Sequence, residues 1–224
     1  MYLHTLNDEL QRQFGCKVYK LALDGGMTCP NRDGTVGTGG CTFCGADGGG
    51  AFAAGDGDVA ARLAAARARV AAKGPSKFIA YFQSHTNTYA PVPRLRQLFE
   101  AAMAPDDVVA LSVATRPDCL PADVLDLLAE LNRRKPVWVE LGLQTIHPAT
   151  AAAVRRGWEL PVFDEAVRAL KARGLTVVVH MILGLPGETA AMMYETASYI
   201  GRSGADGIKF HLLHVLDDAP LAAD

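Results

Sequence analysis

The sequence predicts an α/β chain folded as a partial six-stranded parallel (β/α)6 barrel, and three observations predict it. Six short apolar runs alternate with helix-forming stretches along 224 residues. Each run is separated from the next by enough chain for a right-handed crossover, which parallel pairing requires. The polar residues that interrupt the runs gather toward their C-terminal ends, the rim where parallel sheets and barrels carry their sites. A doubly wound open sheet is the competing architecture and places the site on the same rim.

Taken in order, Lys17–Leu23 (KVYKLAL) reads as the first strand, ending at a glycine-rich loop. Asp56–Lys73 is rich in Ala and Arg and closes at Gly74-Pro75, as a helix should. Lys77–Gln83 (KFIAYFQ) is the second strand and Pro93–Met103 the helix after it. Val108–Ala114 is the third strand, followed by TRPD and by an amphipathic helix over Pro121–Arg134 whose basic end suits its dipole. Val137–Leu143 (VWVELGL) is the fourth strand, followed by helical pieces at Pro148–Arg155 and Pro161–Arg173, the second capped by Gly174. Leu175–Leu183 is almost wholly apolar, as a strand covered on both faces is, and Glu188–Ser203 follows as a helix. Gly207–Val215 is the sixth strand. The chain then ends in DDAPLAAD with no covering helix, so residues 1–224 are expected to be one core domain of a longer protein, truncated after the sixth strand.

Composition narrows the function. Lys plus Arg is 22 against 24 Asp plus Glu, so no overall positive field favours indiscriminate nucleic-acid binding. The first residues lack an apolar signal core, and the longest apolar stretch, LTVVVHMILGL, is too short to span a bilayer. A reducing cytoplasm without membrane attachment is the expected compartment. Five cysteines in so apolar a chain do not read as a disulfide framework.

Three of those cysteines, Cys29, Cys41 and Cys44, share the loop CPNRDGTVGTGGCTFCG. Three thiolates suit a [4Fe–4S] cube with one iron left open for a ligand. With His85 as a fourth ligand they also suit structural zinc, because Cys-x-x-Cys is a common half-site for it, as the lesser reading. Cys16 and Cys119 are isolated and read as buried small hydrophobes; Cys119, which follows TRPD, is also a candidate functional thiol. Polar residues stand at successive strand ends: Gln83 to Thr88, Thr115 to Asp118, Glu140 and Gln144, His180, and His211 with His214. One polar residue in an apolar strand is usually structural; several on one rim point to a polar ligand.

The segments CPNRDGTVGTGGCTFC, AYFQSHTNTY, SVATRPDCL, VELGLQT and HMILGLPGE, in this order, resemble the radical S-adenosylmethionine superfamily. Within it the chain looks most like a bacterial branch near the elongator catalytic subunit and the oxygen-independent coproporphyrinogen oxidases. The resemblance implies an enzyme whose [4Fe–4S] cluster cleaves S-adenosyl-L-methionine (SAM) reductively to a 5′-deoxyadenosyl radical, with electrons from a flavodoxin- or ferredoxin-type donor. It implies Cys29, Cys41 and Cys44 as cluster ligands and Phe43 beside adenine. Gln83 and Asn87 would meet the methionine amino group, where the family's usual acidic residue is absent. Gln144 and His180 would touch ribose, and Arg156 the methionine carboxylate through a bidentate guanidinium. Ile182, Leu183, Gly184 and Leu185 would line adenine. Substrate-facing candidates by rim position are His85, Arg116, Asp118, Glu140 and His211, with Glu140 and Asp118 equally readable as salt-bridge partners of Arg116. Likeness to the elongator subunit implies a tRNA wobble uridine as substrate. The basic pieces Arg133-Arg134-Lys135 and Arg155-Arg156 fit that, though such runs are ordinarily solvated helix ends. A zinc-stabilised binding module and a non-catalytic RNA-binding scaffold are the alternatives on the same fold.

Overall fold

The computed structural model describes residues 3–50 and 52–223. Six parallel strands pair in sequence order: β1 (Val18–Leu23), β2 (Lys77–Phe82), β3 (Val108–Thr115), β4 (Val137–Gln144), β5 (Thr176–Leu183) and β6 (Gly207–Leu212). The sheet curls into an open partial (β/α)6 barrel with β1 and β6 as its edges. The crossover helices are α2 (Val59–Val70), α3 (Val92–Met103), α4 (Ala122–Asn132), α5 (Pro148–Ala153), α6 (Leu160–Lys171) and α7 (Ala190–Arg202). They follow the sequence pattern to within a few residues at each end. His214, expected in the sixth strand, lies beyond β6.

The outward side chains of the strands and the inner faces of the helices make one apolar core. Leu21, Phe82, Leu111, Val139, Leu141, Val179 and Met181 meet Leu95, Phe99, Leu128, Phe163 and Leu170 there. The inward side chains are sorted by depth. At the N-terminal end Val18, Ile79, Ala110 and Trp138 pack with Leu10, and Val178 flanks them. Leu10 belongs to a helix absent from the sequence reading, α1 (Leu6–Phe14). Its signal was local: Thr5 and Asp8 form a reciprocal capping box and Gly15 closes the helix at φ 67°. The helix therefore plugs the bottom of the barrel with one apolar stripe.

The next inward level is polar, with one residue from each strand: Lys20, Tyr81, Ser112, Glu140, His180 and Lys209. They meet around the Glu140 carboxylate. Above them lies the rim, covered by the cysteine loop.

Leu10 is buried against Val18, Ile79, Ala110 and Trp138. Leu10→Ala should therefore destabilise the protein by about 2–4 kcal/mol, read from urea unfolding. A change within experimental error would show that α1 does not plug the barrel.

Candidate active site

A cavity of about 400 Å³ opens at the C-terminal ends of the strands. Cys29, Cys41 and Cys44 all line it, with Phe43 beside them. The loop that carries them has few apolar side chains and is organised by polar contacts. Asn31 donates from Nδ2 to the Arg155 carbonyl at 2.6 Å and to Cys41 Sγ at 3.5 Å. Arg32 donates to the carbonyls of Cys44 and Gly45 at 3.2 and 2.5 Å. From the far end of the chain, Asp218 accepts from the Ala46 amide at 2.6 Å, and the Leu221 amide donates to the Thr42 carbonyl at 2.9 Å. Gly45 lets Asp218 approach: a Cβ there would stand 2.7 Å from a carboxylate oxygen.

The cysteines sit in a positive environment. The Arg116 guanidinium reaches within 4.0 Å of Cys29 Sγ while chelating Asp118 at 2.9 and 2.7 Å. A hydrogen bond with Cys44 lowers the Cys41 thiol to about 7, helped by Asn31, Arg116 and Arg32. That same bond, with burial, holds Cys44 protonated. Cationic and amide donors around a sulfur trio favour thiolates, the form that binds metal. Among the described residues no three His, Cys, Asp or Glu side chains converge on a single ion. His85 does not join the cysteines as a fourth zinc ligand. Three thiols lining one cavity are a donor set that would hold a [4Fe–4S] cluster.

The remaining expected residues divide by what they touch. Gln83 faces the cavity, but its Nε2 donates to the Gly49 carbonyl at 2.7 Å and so ties strand β2 to the loop. Asn87 lies outside the cavity lining; its Nδ2 is shared among the carbonyls of Phe82, Ser84 and Ala114 at 2.9–3.2 Å. Gln144 lines the cavity from a left-handed backbone at φ 64°, folded over Gly142, and the β4–β5 register shifts at this point. His85 also lines it at φ 55°, with Nδ1 buried and unpartnered. Left-handed non-glycine residues store strain and concentrate at functional sites. Ile182 lines the cavity, whereas Leu183 packs into the main core, Leu185 is buried apart from the lining, and Gly184 is exposed.

Arg156 differs from the expectation of a free bidentate guanidinium. It is buried, stacked 3.8 Å over Trp158, and four of its five N–H groups donate to the carbonyls of Leu143, Thr145 and Trp158 at 2.5–3.2 Å. Among the described residues no carboxylate pairs with it, and burial lowers it to about 10. It braces the β4–α5 turn and keeps one N–H for a ligand. Its neighbour Arg155 is exposed.

Arg116 and Asp118 form the expected pair, but Glu140 is not part of it. Glu140 is 0% exposed. Oε1 accepts from Lys20 and Ser112, Oε2 accepts from His180 Nε2 at 2.7 Å, and Lys209 Nζ stands 3.8 Å away. Burial alone would raise its carboxyl; His180 and the two lysines hold it well below the usual range. The sequence reading missed Lys20, Tyr81, Ser112 and Lys209. Their signal was parity: each falls on the inward phase of its strand. His211 packs its ring 4.8 Å from that of His180, and its Nε2 is buried without a partner. Cys119 lines a separate groove outside the barrel, and burial raises its thiol to about 12. Cys16 is half-buried beside the lower cluster rather than fully enclosed.

Residues 32–200 match the family described as the Radical SAM superfamily, so the chain belongs to that superfamily of enzymes. It is 51% identical over 220 residues to YtqA of Bacillus subtilis (strain 168), covering 97% of this chain and 68% of that one. It is 41% identical over 221 residues to YhcC of Escherichia coli (strain K12), covering 98% and 71%. A tRNA uridine(34) acetyltransferase of Methanocaldococcus jannaschii is 33% identical over 84 residues, 38% of this chain and 15% of that one. Among solved structures, the archaeal Methanocaldococcus infernus Elp3 superposes with a TM-score of 0.65 at 19% identity, over 92% of this chain and 48% of that one. Coproporphyrinogen III oxidase (HemN) from Escherichia coli gives 0.59 at 16% identity, over 92% and 46%. These two show the shared fold. The chain thus spans about two thirds of YtqA and YhcC and less than half of either solved structure. Among the described residues no helix is long and apolar enough to cross a membrane.

Two outcomes follow from the buried charges. Glu140→Gln leaves the lysines uncompensated and should cost about 3–5 kcal/mol in urea unfolding. Burial lowers His211 from 6.5 to about 4, and His180 and His85 in the same direction. The unfolded chain therefore binds these protons first, and stability present above pH 6.5 is lost as pH falls toward 4. His211→Asn should flatten that slope in urea midpoints measured against pH; an unchanged slope would mean that His211 is not held neutral.

Proposed function

We propose that this chain is the core of a radical SAM enzyme that cleaves SAM reductively and acts on a modified or unmodified wobble uridine in tRNA. The observation that carries the first part is the common cavity of Cys29, Cys41 and Cys44, bordered by cationic donors. When bound, the [4Fe–4S] cluster and SAM supply a one-electron reductive cleavage and a carbon radical that takes hydrogen from a substrate. The chain's own residues bind and orient. The three cysteines hold the cluster, and Arg116 offsets their negative charge from the second layer. Phe43 and Ile182 offer apolar surface to adenine, and Gln144 offers an unbonded amide to ribose hydroxyls. Arg156 offers one N–H to a carboxylate from a rigid seat. The apolar plug lies below the space between and the cysteine loop above it.

The tRNA part is supported by the short stretch of identity to the tRNA uridine(34) acetyltransferase. A flavodoxin- or ferredoxin-type protein is the proposed electron donor, and the cytoplasm the proposed compartment.

Anaerobic reconstitution with iron and sulfide should give a brown protein that releases 5′-deoxyadenosine from SAM on reduction, and Cys41→Ala should abolish release while the chain stays folded. A colourless protein with stoichiometric zinc would overturn the radical reading. Cluster and SAM binding without turnover, together with salt-sensitive tRNA affinity, would favour a scaffold. Nucleosides from tRNA of cells with and without the gene should differ at the wobble uridine; identical profiles would remove tRNA as the substrate.

A further inference from the structure

The polar middle level of the barrel carries more positive than negative charge. Lys20 and Lys209 bring two ammonium groups, and among the described residues Glu140 is the carboxylate within 4 Å of either. His180 and His211 are held neutral by burial, and Tyr81 keeps its proton. A half-enclosed ammonium without full compensation is costly, and stability alone gives no reason to keep two beside one carboxylate.

The two lysines are not equivalent. Lys20 is paired with Glu140 and lies 4.5 Å over the Tyr81 ring. Lys209 stands 3.8 Å from Glu140, beyond hydrogen-bond range, and makes its hydrogen bond to the Tyr81 hydroxyl at 3.3 Å. Glu140 cannot turn toward it without releasing Ser112, Lys20 or His180. Two residues further along β6, His211 holds its buried, unpartnered Nε2. Residues two apart on a strand share a face about 6.6 Å apart, and both of these line the cavity.

We infer that Lys209 and His211 together hold an anionic group of the substrate, a carboxylate or a phosphate, at the depth of the polar level. The inference rests on the cavity being the active site proposed above. An oxyanion takes one hydrogen bond from the ammonium and another from His211 in its Nε2–H tautomer. It supplies the missing charge beside Lys209 and leaves Glu140 with Lys20 and His180. The cations beside the cysteine loop, Arg116 and Arg156, are different residues and are engaged with Asp118 and with backbone carbonyls.

The test is histidine-ring NMR on the whole chain, titrated with sodium acetate or with inorganic phosphate at an ionic strength fixed by chloride. The His211 ring and the His180 ring, 4.8 Å from it, should shift saturably, the His180 ring serving as the reporter where His211 is replaced, and the shift should persist with SAM at saturation. Lys209→Met and His211→Asn should each weaken the effect about tenfold or more, as loss of a charge-assisted hydrogen bond does; if one variant unfolds, the other decides. Saturation by acetate alone identifies a carboxylate, and by phosphate alone a phosphate. Cys41→Ala should keep the anion site, so a failure of SAM cleavage leaves this result standing. Absence of saturation beyond chloride, unchanged affinity in the folded variants, or displacement of acetate by SAM would each overturn the inference. The last would mean that the anion is the cofactor's own carboxylate.

Discussion

The Glu140 carboxylate is the constraint on which the barrel interior depends. It is fully enclosed, yet it is ionised, because Lys20, Ser112 and His180 together occupy its two oxygens. Its donors come from β1, β3 and β5, with Lys209 of β6 nearby, while Glu140 itself stands on β4. A single side chain thus sets the distance between strands that do not touch one another. Such an arrangement is poor value as a stabiliser, since well-packed apolar residues usually do as well or better. It makes sense as a floor for a polar site, where an apolar layer would leave any ligand's polar groups unsatisfied.

The architecture was legible because local and global demands agree. Each apolar run is short and, except for the sixth, followed by a helix with one apolar face, so parallel pairing followed directly, while the strand order lay between a partial barrel and a doubly wound sheet. The cysteine loop was legible for a different reason: the spacing of Cys29, Cys41 and Cys44 has few chemical uses. What escaped was the inside of the barrel. Lys20 and Lys209 look like ordinary surface lysines in a strand, and only their phase relative to Glu140 and His180 places them inward. Helix α1 escaped because its apolar stripe is narrow, although its capping box was present in the sequence.

Individual roles at the rim were the hardest to read. Asn87 and Gln83 have the composition of ligand contacts, but their amides bind backbone carbonyls of the scaffold. Arg156 spends most of its hydrogen-bonding capacity bracing a turn. Sequence gives the residue type at a strand end; it does not give which carbonyls lack partners there, and those carbonyls are filled first. The loop illustrates the same rule, since residues as distant as Arg155 and Asp218 complete its hydrogen bonds.

Among the described residues the sheet does not close on itself: β1 and β6 are its two edges, with a gap in the ladder between them. What spans that gap is the pair of ammonium groups on Lys20 and Lys209, each drawn toward the same carboxylate on the opposite wall. A fully closed barrel must break backbone hydrogen bonds to dilate. In this one, among the described residues, the two edge strands are linked through side chains that share one carboxylate rather than through backbone hydrogen bonds.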